Sequence, residues 1–298
     1  MVRDPWHFST AAFDGSLEPA TFHLGGPQEE ALARIEWLVD ERQRSGLVVG
    51  AEGSGKSHLA AMVVRRLAGL GAEATLLSLR GLSSGDWIEM LLERLPLDAP
   101  SRSEPLRPWQ KLENRLRENT LMERTTAVVF DDLDHAPADA VEGIVRLVSA
   151  AEPRFARLIV VATSTPAGFT RLPVAIRQRA SVRIELGPWA EDDVAGFLAA
   201  AIRRVGGGED RFSPQAAATI ARFAGGVPRT VCQLARLSVV AAAGDGLEQI
   251  DAATVERVWR ELAPTCGVDQ PQETVAEVED DGPPPANPRV RVVRRLWG

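Results

Sequence analysis

The chain has 298 residues, of which 45% are hydrophobic and 25% charged, enough apolar material for one large or two ordinary globular domains. Its net charge of −7 and isoelectric point near 5.3 exclude a global field that would draw it to nucleic acid or to an acidic membrane. The N-terminus lacks the apolar stretch of a secretory signal, and no apolar run reaches the roughly eighteen residues of a spanning helix. Neither Cys232 nor Cys266 has metal-binding spacing, so we expect a cytoplasmic protein with two reduced thiols.

The first two thirds of the chain alternate short apolar runs with helical stretches. An aromatic-dotted lead-in comes first, and a helix is predicted over Gln28–Arg44. The predicted strands that follow are Leu47–Val49, Ala74–Leu79, Thr126–Phe130, Leu158–Ala162 and Val182–Leu186. Continuous rather than alternating apolar strands between helices indicate a parallel sheet covered on both faces. The predicted fold class is therefore α/β, an αβα sandwich with a five-stranded parallel sheet.

Strand signals stop after residue 190, and a small all-helical domain is predicted. Its helices are Glu191–Val205, Ser213–Phe223, Arg229–Ala243 and Ala252–Leu262. Residues after 266 are acidic and proline-rich, which is typical of a disordered linker, and they end in the basic-apolar tip 289–298. The predicted organisation is a lead-in (1–24), the αβα domain (25–189), the helical domain (190–264) and a disordered tail (265–298).

The segment Gly50-Ala-Glu-Gly-Ser-Gly-Lys-Ser57 fits the pattern G-x-x-x-x-G-K-[ST], the Walker A loop that binds nucleotide phosphates. A predicted strand precedes it and a predicted helix, Ser57–Leu67, follows, so backbone N–H groups and a helix N-terminus would face the phosphates. Lys56 is predicted to bridge the β- and γ-phosphates of ATP, and Ser57 to offer its hydroxyl to Mg²⁺. The predicted nucleotide-binding residues here are Gly50, Glu52, Gly53, Ser54, Gly55, Lys56, Ser57 and His58.

Lysine is rare in this chain. Lys and Arg total 34, yet lysine occurs only at Lys56 and Lys111. An ammonium is a compact point charge, whereas a guanidinium is a planar fork too wide for a tight loop. The lysine at position 56 is thus consistent with a phosphate-binding role.

A second acidic motif follows the third predicted strand. Ala127-Val-Val-Phe-Asp131-Asp132 is an apolar strand that ends in adjacent acids, which is the Walker B pattern. Asp131 is predicted to hold Mg²⁺ through water, and Asp132 to orient or polarise the attacking water. Asp134 and His135 extend the cluster, but their spacing does not specify a metal site, and we expect both to be solvated loop residues.

With these motifs the chain resembles the AAA+ ATPases, and further segments match the order of motifs in that superfamily. Thr163-Ser-Thr165 follows the fourth predicted strand, where the resemblance implies a polar "sensor 1" group, Ser164 or Thr165. Arg177 and Arg179 precede the fifth strand, where the resemblance implies an arginine that reaches the γ-phosphate of a neighbouring subunit. On one helix these two arginines point in different directions, and Arg179, nearer the strand, is favoured over Arg177.

The segment Gly225-Gly-Val-Pro-Arg229 opens a helix of the second domain and resembles the "sensor 2" position, which implies that Arg229 contacts the nucleotide. Within AAA+ proteins the chain is most similar to the ExeA-like (general secretion pathway A) ATPases, relatives of the transposition-helper and origin-recognition ATPases. It departs from them at Asp132, where glutamate is usual. ExeA-like proteins often continue into a membrane helix and a peptidoglycan-binding region, and because this sequence has neither, we do not expect a secretion role to carry over safely.

The predicted function is an AAA+ ATPase that binds and hydrolyses Mg²⁺·ATP to switch assembly or partner binding, as a homo-oligomer joined through Arg179. One alternative is a non-hydrolysing, ATP-dependent scaffold that recruits a protein partner through residues 289–298. The other is a DNA-associated ATPase of the transposition-helper or initiator type. The acidic balance and the lack of a DNA-binding motif do not favour DNA as a partner.

Overall fold

The computed structural model describes residues 12–13, 21–95, 107–150 and 152–266. At its centre lie five parallel strands: β1 (Ser45–Gly50), β2 (Glu73–Ser78), β3 (Thr126–Asp131), β4 (Leu158–Ser164) and β5 (Val182–Leu186). Their order in the sheet is β2-β3-β4-β1-β5. The strands β1, β3 and β4 are buried along their whole length, which is why their sequences are continuously apolar.

Helices cover both faces of this sheet. One face packs against α1 (Gly26–Asp40) and α2 (Lys56–Gly69) through residues such as Ile35, Leu59 and Leu67. The opposite face packs against α3 (Asp86–Arg94), α4 (Pro108–Leu121), α5 (Ala138–Ser149), α6 (Pro166–Arg171) and α7 (Val174–Arg179). Two separate apolar cores therefore hold the sheet between helical layers.

The remaining helices pack around a third apolar core. They are α8 (Glu191–Arg204), α9 (Pro214–Ala224), α10 (Pro228–Gly244) and α11 (Ala252–Cys266). Ser213 caps α9, since its hydroxyl accepts a hydrogen bond from the backbone N–H of Ala216. Phe13 enters this core from the N-terminal lead-in and lies edge-on to Phe197, with 5.8 Å between ring centres. We call these four helices the helical lid.

The predicted α/β fold class is confirmed, and several element boundaries differ from prediction, two of them for a clear physical reason. The first helix ends at Asp40 rather than Arg44, because Arg42 has a left-handed φ of 51° and Ser45 already belongs to β1. The fourth strand continues past Ala162 to Ser164, so Thr163 and Ser164 lie within it rather than after it. No helix in the described ranges has the length and apolar character needed to cross a membrane.

Candidate functional site

The polar segments singled out by their motifs meet at one edge of the sheet. Parallel strands end on the same side, so the loops after β1, β3 and β4 converge there. Between these loops and the helical lid lies a cavity of about 810 Å³. Residues from four regions line it, namely the lead-in, the phosphate loop, the carboxyl edge of the sheet and the lid.

The loop between β1 and α2 has the geometry of a phosphate cradle. Gly53 and Gly55 have φ values of 78° and 92°, a left-handed backbone that favours glycine, and Gly55 immediately precedes α2. Lys56 is the first residue of α2, and its Nζ donates hydrogen bonds to the backbone carbonyls of Gly50 at 2.8 Å and Ala51 at 2.9 Å. The lysine therefore lies folded over its own loop, facing the cavity.

Lys56 is only 8% exposed, and this burial lowers the pKa of its ammonium group. The negative charges of Asp132, Asp134 and Asp131 oppose that shift. A buried cation held only by neutral carbonyl oxygens at hydrogen-bond distance has unused capacity for an anion.

The predicted phosphate-loop residues fall into two groups. Those that line the cavity are Glu52, Gly53, Gly55, Lys56, Ser57 and His58. The other two are not among the cavity-lining residues, since Gly50 ends β1 and Ser54 is buried within the loop. A Cβ added to Gly50 would come within 2.6 Å of the Ser54 hydroxyl and 3.2 Å of Leu186, so close packing requires glycine there.

The predicted Walker B acids, Asp131 and Asp132, lie at the end of β3 and are joined to β4 by Thr163. Asp131 is 5% exposed, and its Oδ1 accepts a hydrogen bond of 2.5 Å from the Thr163 hydroxyl. The same hydroxyl oxygen accepts a hydrogen bond of 2.9 Å from the backbone N–H of Asp132. Sequence reasoning did not select Thr163, because three consecutive hydroxyl residues gave no indication of which one faces β3.

The two predicted sensor 1 candidates have different surroundings. Ser164 is fully buried, and its hydroxyl donates to the backbone carbonyl of Thr165 at 3.1 Å. Thr165 lines the cavity, and its hydroxyl both caps α6 and donates to Asp134 at 2.5 Å. Of the pair, only Thr165 is among the cavity-lining residues.

Asp132 lies at the cavity in an unusual backbone conformation. Its φ of 57° and ψ of 46° are left-handed, a conformation that aspartate tolerates better than most residues. Its carboxylate accepts a hydrogen bond of 3.0 Å from Arg80 Nε, and Arg80 Nη2 also lies 3.3 Å from His135 Nδ1. Arg80 follows β2 in no recognisable motif, so only its position at the carboxyl edge of the sheet would have identified it.

The expectation that Asp134 is a solvated loop residue is wrong. Its side chain is only 2% exposed, and its Oδ2 accepts hydrogen bonds from the backbone N–H and the hydroxyl of Thr165. These bonds outweigh burial and lower the pKa of the carboxyl group. Gly168 leaves room for it, since an added Cβ would lie 2.2 Å from the Asp134 side chain. Asp134 thus ties the loop after β3 to the start of α6.

The helical lid contacts the phosphate loop directly. The backbone N–H of Arg229 donates to the carbonyl of Gly53 at 3.1 Å, and the exposed Arg229 side chain lines the cavity. Gly226, with a φ of 68°, accepts a hydrogen bond of 2.8 Å from the backbone N–H of Trp189. These bonds position the start of α10 over the loop.

Aromatic side chains form the wall opposite the phosphate loop. His23 lies edge-on to Trp189 at 5.6 Å and to Phe197 at 5.7 Å between ring centres, and all three line the cavity. Burial lowers the pKa of His23. Trp189 Nε1 also donates to Gln28 at 2.8 Å, which joins the lid to α1. Sequence reasoning missed this wall because its members are far apart in the chain and follow no periodic pattern.

The two candidate arginines of α7 lie away from this cavity, near the amino end of β1. The hydroxyl of Ser45 donates to the backbone carbonyl of Arg179 at 2.7 Å, and the Arg179 side chain is exposed. Arg177 is half-buried beside the Phe169 ring, 6.0 Å from its centre, and its Nε has no hydrogen-bond partner. Arg179 is thus the more accessible of the two. The predicted docking segment 289–298 lies outside the described residues.

Comparisons with known proteins concern the domain family and the fold. Residues 39–167 match the family model described as the AAA domain. The chain is 21% identical over 256 residues to the general secretion pathway protein A of Aeromonas hydrophila, which covers 84% of this chain. It spans 46% of that relative, about half of its length.

Solved structures with the same fold include two further proteins. Cdc6p from Pyrobaculum aerophilum has a TM-score of 0.61 and 18% identity, over 84% of this chain and 70% of that one. The RuvB Holliday junction branch migration motor from Thermotoga maritima has a TM-score of 0.55 and 14% identity, over 79% and 69% of the two chains. At these identities the likeness shows the shared fold.

Proposed function

Because residues 39–167 of this chain match the AAA domain model, we propose that it binds and hydrolyses Mg²⁺·ATP in the cavity beneath the helical lid. The nucleotide state would then switch assembly or partner binding. The observation that carries the proposal is the convergence of Lys56, Asp132 and Arg229 on one cavity from three separate parts of the fold.

The residues of the phosphate loop fit a triphosphate. The left-handed glycines turn backbone N–H groups toward the ligand, and the N-terminus of α2 adds favourable partial charge. Lys56 would exchange its two carbonyl contacts for phosphate oxygens, and Arg229 would add a second cation from the lid. Ser57 and Asp131 would hold Mg²⁺, since hydroxyl and carboxylate oxygens suit a hard cation. Bound Mg²⁺·ATP supplies the phosphoanhydride bond to be cleaved and the divalent charge that neutralises its oxygens.

Asp132 is the residue that we propose as the water-orienting group. Its carboxylate can accept a hydrogen bond from a water molecule. Its backbone N–H is fixed by a hydrogen bond to the Thr163 hydroxyl. In the structure Arg80 occupies one of its oxygens. The ion pair would have to open before that oxygen can orient water, so Arg80 would keep hydrolysis slow.

We propose that Arg179 completes the site of a neighbouring subunit. Its backbone carbonyl lies at the amino end of β1, whereas the phosphate loop follows the carboxyl end, and its exposed side chain does not line the cavity of its own chain. An arginine supplied by a neighbour stabilises charge on the transferred phosphoryl group and makes turnover depend on assembly.

A second candidate function is the non-hydrolysing scaffold, with its docking segment at 289–298. The observation that favours it is again Asp132, which is one methylene shorter than glutamate and is paired with Arg80. A carboxylate that stays paired would bind nucleotide in the cavity without activating water.

Phosphate release and nucleotide binding, measured separately, distinguish the two candidates. If the chain is an ATPase, Asp132→Asn should abolish phosphate release but retain nucleotide binding. Lys56→Ala should abolish both phosphate release and nucleotide binding. For the scaffold, the unmodified chain should bind ATP tightly and release negligible phosphate.

The in-trans role of Arg179 is tested by mixing two inactive variants. Lys56→Ala subunits lack a working site but carry Arg179, and Arg179→Ala subunits have the reverse defect. Mixing them should restore turnover, and Arg257→Ala, which removes an exposed lid arginine, should leave turnover unchanged. This role would be refuted if the Arg179→Ala variant alone keeps its ATP turnover and if mixing it with Lys56→Ala subunits gives no further turnover.

A further inference from the structure

A row of arginines runs along the amino edge of the sheet, opposite the nucleotide cavity. Arg44 and Arg157 immediately precede β1 and β4, Arg124 lies in the turn before β3, and Arg179 ends α7 at the turn before β5. Hydrogen bonds confirm the row: Val160 N donates to the carbonyl of Arg44 at 2.8 Å, and Thr126 N to that of Arg157 at 2.9 Å. The strand order therefore places the four turns side by side in the sequence Arg124, Arg157, Arg44, Arg179.

These cations are poorly neutralised. Within the described ranges, Arg44, Arg124 and Arg179 have no carboxylate oxygen within ion-pair distance, and Arg157 has only a contact of 3.6 Å with Glu123. The Glu123 side chain is 83% exposed, so this contact contributes little. Burial and then the positive charge of Arg179 lower the pKa of Arg44. Like charges grouped in this way in a chain of net charge −7 repel one another unless an anion covers them.

We propose that this arginine row binds the phosphate backbone of nucleic acid. Neighbouring strands are about 4.8 Å apart, so four adjacent turns span about 14 Å. This length corresponds to about four base-pair steps along the axis of a duplex at roughly 3.4 Å each, whereas a single phosphate group would leave most of the row uncovered. A guanidinium binds phosphate oxygens with two parallel N–H groups, which suits arginine to this contact.

Among the described residues, none of the four arginines lines the nucleotide cavity of its own chain. Three of them lie in turns, which offer no helix or ribbon for insertion into a groove. Binding should therefore be insensitive to base sequence and strongly dependent on salt. Two exposed acids, Glu41 and Glu123, lie in the same turns and are outnumbered by the arginines. Arg179 also has the proposed contact with a neighbouring subunit, so the test uses the other members of the row.

The test is fluorescence anisotropy of a labelled DNA duplex titrated with the full chain. The key variant is Arg44→Gln/Arg124→Gln, and the matched control is Arg203→Gln/Arg257→Gln, which removes the same charge from exposed positions of the lid. Each lost phosphate contact weakens binding about tenfold at roughly 50 mM salt, so the double variant should bind about a hundredfold more weakly. Its slope of log affinity against log salt should also become shallower by about 1.8.

The control pair should bind DNA as the unmodified chain does, and a duplex of different sequence should bind equally. If the double variant does not fold, the single variant Arg124→Gln, in an exposed turn, replaces it in the same titration. ATP turnover of the same variants is measured in parallel, so a failed ATPase and a failed DNA contact are distinguishable. The proposal is overturned if the unmodified chain does not bind, if the control loses as much affinity, or if polyglutamate of equal charge competes as well as DNA. The last outcome would identify an acidic protein segment as the ligand.

Discussion

Replacing Gly53 by alanine tests the contact between the phosphate loop and the helical lid. Gly53 has a φ of 78°, and an added Cβ would lie 2.9 Å from Arg229 Cβ and 3.2 Å from Val227 Cγ1. Arg229 Cβ belongs to the first turn of α10, so the methyl group meets a rigid part of the lid rather than the end of a flexible chain. The loop must change its backbone or the lid must move away.

The size of the effect follows from these contacts. An alanine in the left-handed region costs about 1–2 kcal/mol more than glycine. Moving α10 away would weaken the bond from Arg229 N to Gly53 O, 3.1 Å long, at a further cost of about 1 kcal/mol. Together with the steric overlap, these costs should destabilise the loop conformation that binds ATP by about 2–4 kcal/mol. The affinity for ATP should then fall by about 30-fold to 700-fold.

The assay is a titration with a fluorescent ATP analogue in the presence of Mg²⁺. Gly71→Ala is the matched control, because Gly71 has a φ of 86° and its added Cβ meets nothing within 4 Å, in the turn after α2. Gly71→Ala should lower thermal stability slightly and leave ATP affinity unchanged. The reasoning is refuted if Gly53→Ala binds ATP as tightly as the unmodified chain, or if the two variants lose affinity equally.

Three further outcomes are expected. Burial lowers the pKa of Lys56 in the folded state below its ordinary value near 10.5. At a pH between these two pKa values the unfolded state binds more protons than the folded state. The free energy of unfolding should therefore rise with pH in that window. Other groups, including Lys111 and the two cysteines, titrate in the same range, so the test is the difference between variants: Lys56→Met should remove this part of the rise in the free energy of unfolding measured with urea. Hydrogen bonds lower the pKa of Asp134, so its carboxylate stabilises the folded state at neutral pH. The loss of stability caused by Asp134→Asn should therefore be constant above about pH 5 and should shrink as the pH falls below about 4. A loss of stability that does not change with pH would contradict this. Arg80→Ala should raise the initial rate of phosphate release about two- to fivefold by freeing Asp132, with little change in melting temperature, and a slower variant would contradict the restraining role.

Much of this fold was predictable because its strands and motifs are local signals. The runs that became β1, β3 and β4 are apolar throughout, since both faces of each strand are covered. The predicted helix Ser213–Phe223 agrees with α9 to within one residue at each end. The end of α1 and the extension of β4 were not predictable in the same way. They depend on the turn at Arg42 and on the hydrogen bonds of Thr163 to β3.

The sequence by itself determined the fold class, the phosphate loop and the acidic end of β3, because backbone requirements for glycine and strand burial act over a few neighbouring residues. Only the tertiary structure decided which side chains meet across distant segments. Arg80 reaches Asp132 because β2 and β3 are adjacent, and Asp134 is buried because α6 folds over it. The arginine row exists only because the strand order brings together turns that are far apart in the chain. Each of these depends on contacts between residues tens of positions apart, which local sequence patterns do not encode.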